Sequence, residues 1–175
     1  MAWLTPKTFS FKEKLTSADM NTYLRDNTAW LGAVKPRCSA VRNTNLSIAD
    51  GAATAITLPN TEDFDVGNMH DPSSSSERIV VPSGGAGLYL VNAMVSWTTN
   101  SSGRRIVTLR LNGSPISGVG DTRAPDSAGS TVMSFAHMLQ LADGDYIDMT
   151  GQQTSGGALN VTGARLQACW LATVA

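Results

Sequence analysis

The sequence is poor in charge, in aromatic side chains and in histidine, and it has no long apolar run. Charged residues make up 15% of the 175 positions, against roughly 25% in an ordinary soluble domain, and the formal net charge is −1. Proteins that bind nucleic acid usually display a basic stripe, so this balance predicts no nucleic-acid partner. No run approaches the roughly 18 apolar residues of a membrane span, and residues 1–6 do not resemble a secretory signal. We therefore expect no membrane partner and assembly in a cytoplasm.

Cysteine is also scarce. The only two, Cys38 and Cys169, are too few for a disulfide scaffold. We expect buried free thiols, which are the usual state in a reducing compartment. The alternative is a close pair, because the first and last strands of a sandwich often lie side by side.

Candidate catalytic and metal-binding residues are few. A serine hydrolase is not predicted, because His70 and His137 are the only histidines and no serine lies in a G-x-S-x-G pattern. One segment clusters acidic residues around a histidine, and its oxygen ligands could hold Ca²⁺, although without the spacing of an EF-hand: Glu62, Asp63, Asp65, His70 and Asp71. We interpret this segment as a solvated acidic loop, and we predict no catalytic residue, no cofactor and no metal.

What the chain does contain is a series of strand patterns. Apolar and polar residues alternate from Ile106 to Leu111, and Asn112-Gly113 then supplies the positive φ angles of a hairpin turn. Turn signals recur every 8–12 residues, which is typical of an antiparallel sandwich or barrel. The predicted strands are 38–48, 53–58, 78–82, 87–97, 105–112, 115–120, 131–141, 145–152 and 159–174, the last broken near Gly163, and 59–77 is predicted to be a surface loop.

The first 36 residues have a different pattern. Residues 1–14 are predicted to form an extended arm, followed by a helix over about 17–31 with Thr16 as N-cap and Asp19 completing a capping box. We therefore divide the chain into an arm and helix (1–36) and a β-domain (37–175). The apolar residues of the first part are expected to contact a partner: Trp3, Phe9, Phe11, Leu15, Met20, Tyr23, Leu24, Trp30 and Leu31. Packing on the β-domain, self-association and insertion into a neighbouring protein all remain open.

Two further groups of residues are candidate contact sites. Tyr89, Val91 and Ala93 share one strand face, and we predict that they bury against identical copies. Trp97 could stack on a sugar and Arg104 and Arg105 could bind an anionic one, although core packing for Trp97 and a solvated loop end for the arginines are the simpler interpretations.

Short motifs in the β-domain resemble the C1q/TNF-like jelly roll. They are Ile79-Val80-Val81-Pro82 with Gly87-x-Tyr89-Leu90-Val91, then Leu109-x-Leu111-Asn112-Gly113, then Leu141-x-Asp143-Gly144-Asp145-Tyr146-Ile147. The gap between Pro82 and Gly87 is longer than is usual in that family. The resemblance implies an all-β, antiparallel jelly-roll sandwich that forms a homotrimer around a threefold axis.

A second resemblance lies in the helix. The run L-T-S-A-D-M-N-T-Y-L-R-D-N, residues 15–27, is similar to the N-terminal segment of structural proteins of tailed bacteriophages. This implies a non-enzymatic virion protein, assembled in the host cytoplasm, that is a capsid decoration, a head fibre or a minor tail protein. Its partners would be its own copies and the major capsid or tail proteins. The alternative is an adhesin whose jelly roll binds host-surface glycans.

Overall fold

The computed structural model describes residues 4–32 and 35–173, without the side chains of residues 30–32. Contacts along the chain divide it into two compact units, Met1–Val34 and Lys35–Ala175. Each unit is described by itself below. That residues 1–36 and 37–175 fold as separate domains stays a prediction.

The first unit is an irregular arm followed by helical turns. The predicted capping box at the start of the helix is present: the Asp19 amide donates to Thr16 Oγ1 at 3.1 Å, and the Thr16 amide donates to Asp19 Oδ2 at 3.0 Å. Helix α1 (Ser17–Asp19) continues into a π-helical segment (Met20–Arg25) and then into helix α2 (Asp26–Gly32).

The π-helical segment changes which side chains share a face. The Asp26 amide donates to the Asn21 carbonyl, five residues back, so one residue is added to the turn. Side chains beyond it are rotated relative to the regular i, i+3, i+4 pattern that the sequence predicts. Asn27 is buried and bonds to the backbone of Leu4 at both ends of its amide, at 2.9 and 2.8 Å.

The second unit is an antiparallel sandwich of eleven strands within the described residues. The strands are β1 (Arg37–Arg42), β2 (Leu46–Ile48), β3 (Thr54–Ala55), β4 (Asn60–Val66), β5 (Arg78–Val80), β6 (Gly87–Trp97), β7 (Arg105–Leu111), β8 (Ser114–Arg123), β9 (Thr131–Leu141), β10 (Tyr146–Gln153) and β11 (Leu159–Ala172).

The strands form two sheets. Sheet A has the order β4-β1-β11-β6-β9, with β2 also paired to β11. Sheet B has the order β3-β10-β7-β8, with β5 also paired to β10. Consecutive strands therefore often lie in different sheets, as expected for a jelly roll rather than a meander.

One hydrophobic core lies between the sheets. On β6 the odd-numbered residues face inward, so that Tyr89, Val95 and Trp97 are each 0% exposed. The Trp97 ring reaches β10 of sheet B, where a Cβ atom at Gly151 would lie 3.1 Å from Trp97 Cη2 and 3.2 Å from Ile56 Cδ1. Gly151 thus leaves the space that the indole fills.

The predicted strands agree with the structure for β6 and β9, and the break predicted near Gly163 is a register shift between Val161 and Gly163. Two predictions are wrong. The single strand predicted over 38–48 is two strands, β1 and β2, and the predicted loop over 59–77 contains β4.

Candidate interaction surfaces

On β6, the face that was predicted to contact identical copies is buried in the core, and the opposite face is the outer one. Tyr89, Val91 and Ala93 are 0%, 1% and 1% exposed and belong to the core between the sheets. They cannot meet another subunit, because sheet B covers them. The prediction of these three as interface residues is therefore wrong. Leu90 and the residues that alternate with Tyr89 form the outer face.

That outer face is apolar around Leu90. Leu90 lies opposite Cys169 of β11 on one side and opposite Met138 of β9 on the other. Large apolar side chains with more than a third of their surface exposed occur, within the described part of the second unit, on strands of sheet A alone: Phe64, Leu90, Val132, Met138 and Leu171. We call Leu90, Met138 and Leu171 the sheet A patch; Val132 lies six residues from Met138 along β9, opposite Ser96.

A chain of hydrogen-bonded polar side chains crosses the same sheet. Asn92 donates to Gln167 Oε1 at 3.2 Å, Gln167 donates to Ser39 Oγ at 3.1 Å, and Ser39 donates to Asp63 Oδ2 at 2.7 Å. The chain joins four adjacent strands, β6, β11, β1 and β4. Because these groups already have partners, covering them would cost less than covering unpaired polar groups.

Sheet B has charged pairs on its outer face. Arg110 Nε and Nη2 donate to the two carboxylate oxygens of Asp148 at 2.5 and 2.8 Å, and the Asp148 side chain is only 3% exposed. The hydrogen bond to Asp148 raises the pKa of Arg110. Next to this pair, the Arg78 guanidinium lies 4.4 Å from the centre of the Tyr146 ring.

The first unit exposes several of the side chains predicted to contact a partner. Phe11 is 92% exposed, Leu15 57% and Leu24 56%, and Phe9 and Met20 are each 41% exposed. Tyr23 is partly buried. Trp3 and the side chains of Trp30 and Leu31 lie outside the described residues. What these residues contact stays a prediction.

Two of the three predicted sugar contacts are core residues. Trp97 is 0% exposed, and so is Arg105, whose guanidinium donates to the carbonyl oxygens of Asn100 and Ser102, both at 3.0 Å. Arg105 therefore closes its own loop from inside. Of the three residues, Arg104 alone is exposed, so the prediction that Trp97 and Arg105 contact a ligand is wrong.

The acidic segment uses its carboxylates in local hydrogen bonds. Asp65 accepts the amides of Met69 and His70, Asp71 accepts from Ser73 and Ser74, and Glu62 bonds to the His70 ring. Among residues 4–32 and 35–173, no three His, Cys, Asp or Glu side chains are arranged to hold a metal ion.

The two cysteines lie on adjacent strands but on different faces. Arg37 pairs with Cys169 in the β1–β11 register, and Cys38 pairs with Ala168. Cys38 is in the core, where burial raises the pKa of its thiol, whereas Cys169 lies on the outer face beside Leu90. Both are free thiols.

Comparison with solved structures identifies the fold as a C1q/TNF-like jelly roll. The globular domain of zebrafish complement 1qA is similar with a TM-score of 0.59 and 17% identity, over 80% of this chain and all of that domain. Murine APRIL at pH 5.0 is similar with a TM-score of 0.50 and 14% identity, over 75% of this chain and 98% of that one. At such identities the likeness shows the fold alone.

Other comparisons add no relative. No protein-family model and no curated protein matches the sequence. Within the described part of the chain, no helix is long and apolar enough to cross a membrane.

Proposed function

We propose that this chain is a non-enzymatic structural protein of a tailed-bacteriophage particle. In this proposal three copies associate through their jelly rolls, and residues 1–36 attach each copy to a capsid or tail protein. The proposal combines the phage-like segment Leu15–Asn27 with the observation that carries it: a small helical unit exposes large apolar side chains, led by Phe11 at 92%.

Attachment through the first unit follows from the cost of exposed apolar surface. Phe11, Leu15 and Leu24 each leave more than half of their surface in water, although burial of one such side chain stabilises by about 1.5–3 kcal/mol. Contiguous exposed apolar groups are typical of a binding surface. Lys7 bridges Glu13 and Asp19, at 2.6 and 3.0 Å, and so helps to hold the arm near the helix start.

Self-association is supported by the sheet A patch. Leu90 and Met138 are direct neighbours on adjacent strands, and the Arg165–Asp63 ion pair of this sheet, at 3.2 Å and with both side chains 41% exposed, joins β11 to the edge strand β4. An apolar centre with a polar surround is the usual form of a protein interface. A closed ring of three copies would bury this face without open-ended assembly.

The proposal is tested by particle incorporation of full-length variants. Phe11→Ser should weaken attachment by roughly 30-fold, the effect expected of a buried hot-spot residue. The control is Lys14→Ser, which changes an exposed charged residue on the same arm. Incorporation is measured by co-purification of the protein with particles, and the oligomeric state by analytical ultracentrifugation.

Three results would contradict this proposal. The first is a monomer at micromolar concentration, which would remove the trimer. The second is equal incorporation of Phe11→Ser and the unsubstituted protein, which would remove the anchor. The third is a particle reconstruction in which density for this chain is absent, which would remove the virion role; where such density is present, it decides between capsid and tail.

A further inference from the structure

One imidazole in the jelly roll is enclosed completely. His70 lies in the segment between β4 and β5, and its side chain is 0% exposed. Its Nδ1 is 2.6 Å from Glu62 Oε1 on β4, and its Nε2 is 3.1 Å from the carbonyl oxygen of Ser76. The ring thus joins the edge strand of sheet A to the end of the segment that leads into β5.

The backbone around His70 converges on the same place. Asp65 accepts the His70 amide at 3.0 Å, while the Ser76 carbonyl that faces the ring also accepts the Leu58 amide at 2.8 Å. The Val80 amide donates to the Met69 carbonyl at 2.7 Å. The ring is therefore the central link of segment 67–77.

Counting protons decides the charge of this ring. A backbone carbonyl only accepts hydrogen bonds, and so does an ionised carboxylate. Burial raises the pKa of Glu62, but the hydrogen bond from His70 and a backbone hydrogen bond outweigh it, so that the net pKa of Glu62 lies below its usual range. Glu62 is then ionised at neutral pH. Both ring nitrogens face acceptors, whereas a neutral imidazole has one N–H.

We propose that His70 is an imidazolium in the folded protein and that its second proton locks segment 67–77 onto β4, so that the segment is released as pH rises. Loss of the Nδ1 proton would leave the Glu62 oxygen without its donor, and loss of the Nε2 proton would turn a ring lone pair toward the Ser76 carbonyl, which would then keep only the Leu58 amide. An unsatisfied buried acceptor costs about 1–3 kcal/mol, more when it is charged. Histidine is the side chain whose charge changes most readily near neutral pH.

Other charged groups lie close to the ring and have to be included. Asp65 and Asp71 add negative charge on either side of it, and Arg78 adds positive charge across a depression of about 470 Å³ that His70 also lines. Arg78 is already paired with Glu77 at 2.8 Å. The acidic residues favour the imidazolium, and the Arg78–Glu77 pair is close to neutral overall.

The expected pH dependence has two sides. The link between segment 67–77 and β4 needs both ring protons of His70, so the stabilisation by this link is present at lower pH and falls as pH rises. The pKa of Glu62 is lowered in the folded protein, so the contribution of its carboxylate is present above the ordinary pKa of 4.5 and falls as pH drops. The segment is therefore held most tightly between these limits.

Glu62→Gln separates this mechanism from simple packing. The side-chain amide that this substitution introduces could donate to an unprotonated Nδ1, while the N–H at Nε2 still donates to the Ser76 carbonyl. A neutral His70 ring then satisfies both contacts. Exchange protection of the Leu58 and Val80 amides should fall as pH rises in the unsubstituted protein, by up to about tenfold per pH unit over the range in which one proton is lost. It should be flat in Glu62→Gln. Asp71→Asn, which removes one nearby charge without touching the ring, should keep the pH dependence.

Long-range ¹H–¹⁵N spectra of the full chain give an independent measurement. Both nitrogens of His70 should have protonated shifts at neutral pH, and His137, which is exposed on β9, provides the comparison in the same sample. A His70 ring with one unprotonated nitrogen at neutral pH would overturn the proposal. Equal pH dependence in Glu62→Gln and the unsubstituted protein would overturn it as well.

Discussion

Sheet A and sheet B cover the same core, yet their outer faces carry different side chains. The outer face of sheet B pairs its charges: Arg110 with Asp148, and Arg78 stacked on Tyr146. The outer face of sheet A has exposed Leu90 and Met138 beside a chain of side-chain hydrogen bonds that ends on Asp63, whose ion pair with Arg165 is 41% exposed on both sides. Paired charges suit a surface that stays in water, whereas apolar groups among satisfied polar ones suit a surface that another protein covers.

The largest expected effect tests whether sheet B depends on its charged pair. Arg110→Ala would leave the Asp148 carboxylate, 3% exposed, without its bidentate partner. Breaking a buried pair by removing one member costs about 3 kcal/mol of unfolding free energy, which urea unfolding measures. Arg123→Ala is the control, because the Asp121–Arg123 pair has a 48% exposed arginine, and we expect a change within about 1 kcal/mol. Equal losses in the two variants would contradict this account.

The second prediction concerns the face of sheet A. Leu90→Asp with Met138→Asp should weaken self-association by about 2 kcal/mol or more, because charges would replace the centre of an apolar interface. The free energy of unfolding of the monomer should fall by about 1–2 kcal/mol, because aspartate is disfavoured in strands and the two carboxylates would lie directly opposite each other. Thr108→Asp on β7 of sheet B is the matched control. Sedimentation that responds to Thr108→Asp and not to the double variant would reverse the assignment of the two faces.

The third prediction concerns the core that the sheets share. Gly151→Ala would place a Cβ atom 3.1 Å from Trp97 and 3.2 Å from Ile56, so the indole would have to shift. We expect a loss of about 1–2 kcal/mol in unfolding free energy. Gly157→Ala is the control, because no atom lies within 4 Å of its added Cβ. A neutral Gly151→Ala would show that Trp97 has more space than these distances allow.

The sequence predicted the long strands but not which of their faces is buried. β6 and β9 have many apolar and β-branched residues and clear turns at each end, so their bounds 87–97 and 131–141 follow from pattern alone. On β6 both faces are apolar, with Tyr89 on one and Leu90 on the other. Pattern therefore cannot tell which of these faces meets sheet B, and the predicted interface lies on the wrong one.

Other errors have equally local causes. Among the strands of the described residues, β4 is an edge strand that pairs with β1 alone, and it is rich in acidic residues, so it lacks the alternation that identifies a half-buried strand. Arg105 resembles a surface residue by type. It is buried because carbonyl groups of residues 100–104 turn inward and accept hydrogen bonds from its two terminal guanidinium nitrogens, which no pattern in the sequence indicates. The π-helical segment Met20–Arg25 likewise has no sequence signal.

The smallest expected effect concerns the loop that joins the two sheets, and it involves a residue whose role the sequence did not reveal. Asp143, before β10, accepts the amides of Gly84 and Ala86, both at 2.7 Å, so the glycine-rich run before β6 binds a carboxylate of its own chain. The hydrogen bond from Gly84 has the largest effect, followed by that from Ala86, and both lower the pKa of Asp143. Their stabilisation is thus present above the ordinary pKa of 3.8 and is lost as pH falls through the lower folded value. Exchange protection of the Gly84 and Ala86 amides should decrease in the unsubstituted protein as pH falls below the ordinary pKa of 3.8. In Asp143→Asn it should be weaker throughout and nearly independent of pH, and an unchanged profile in that variant would show that the carboxylate does not hold the loop.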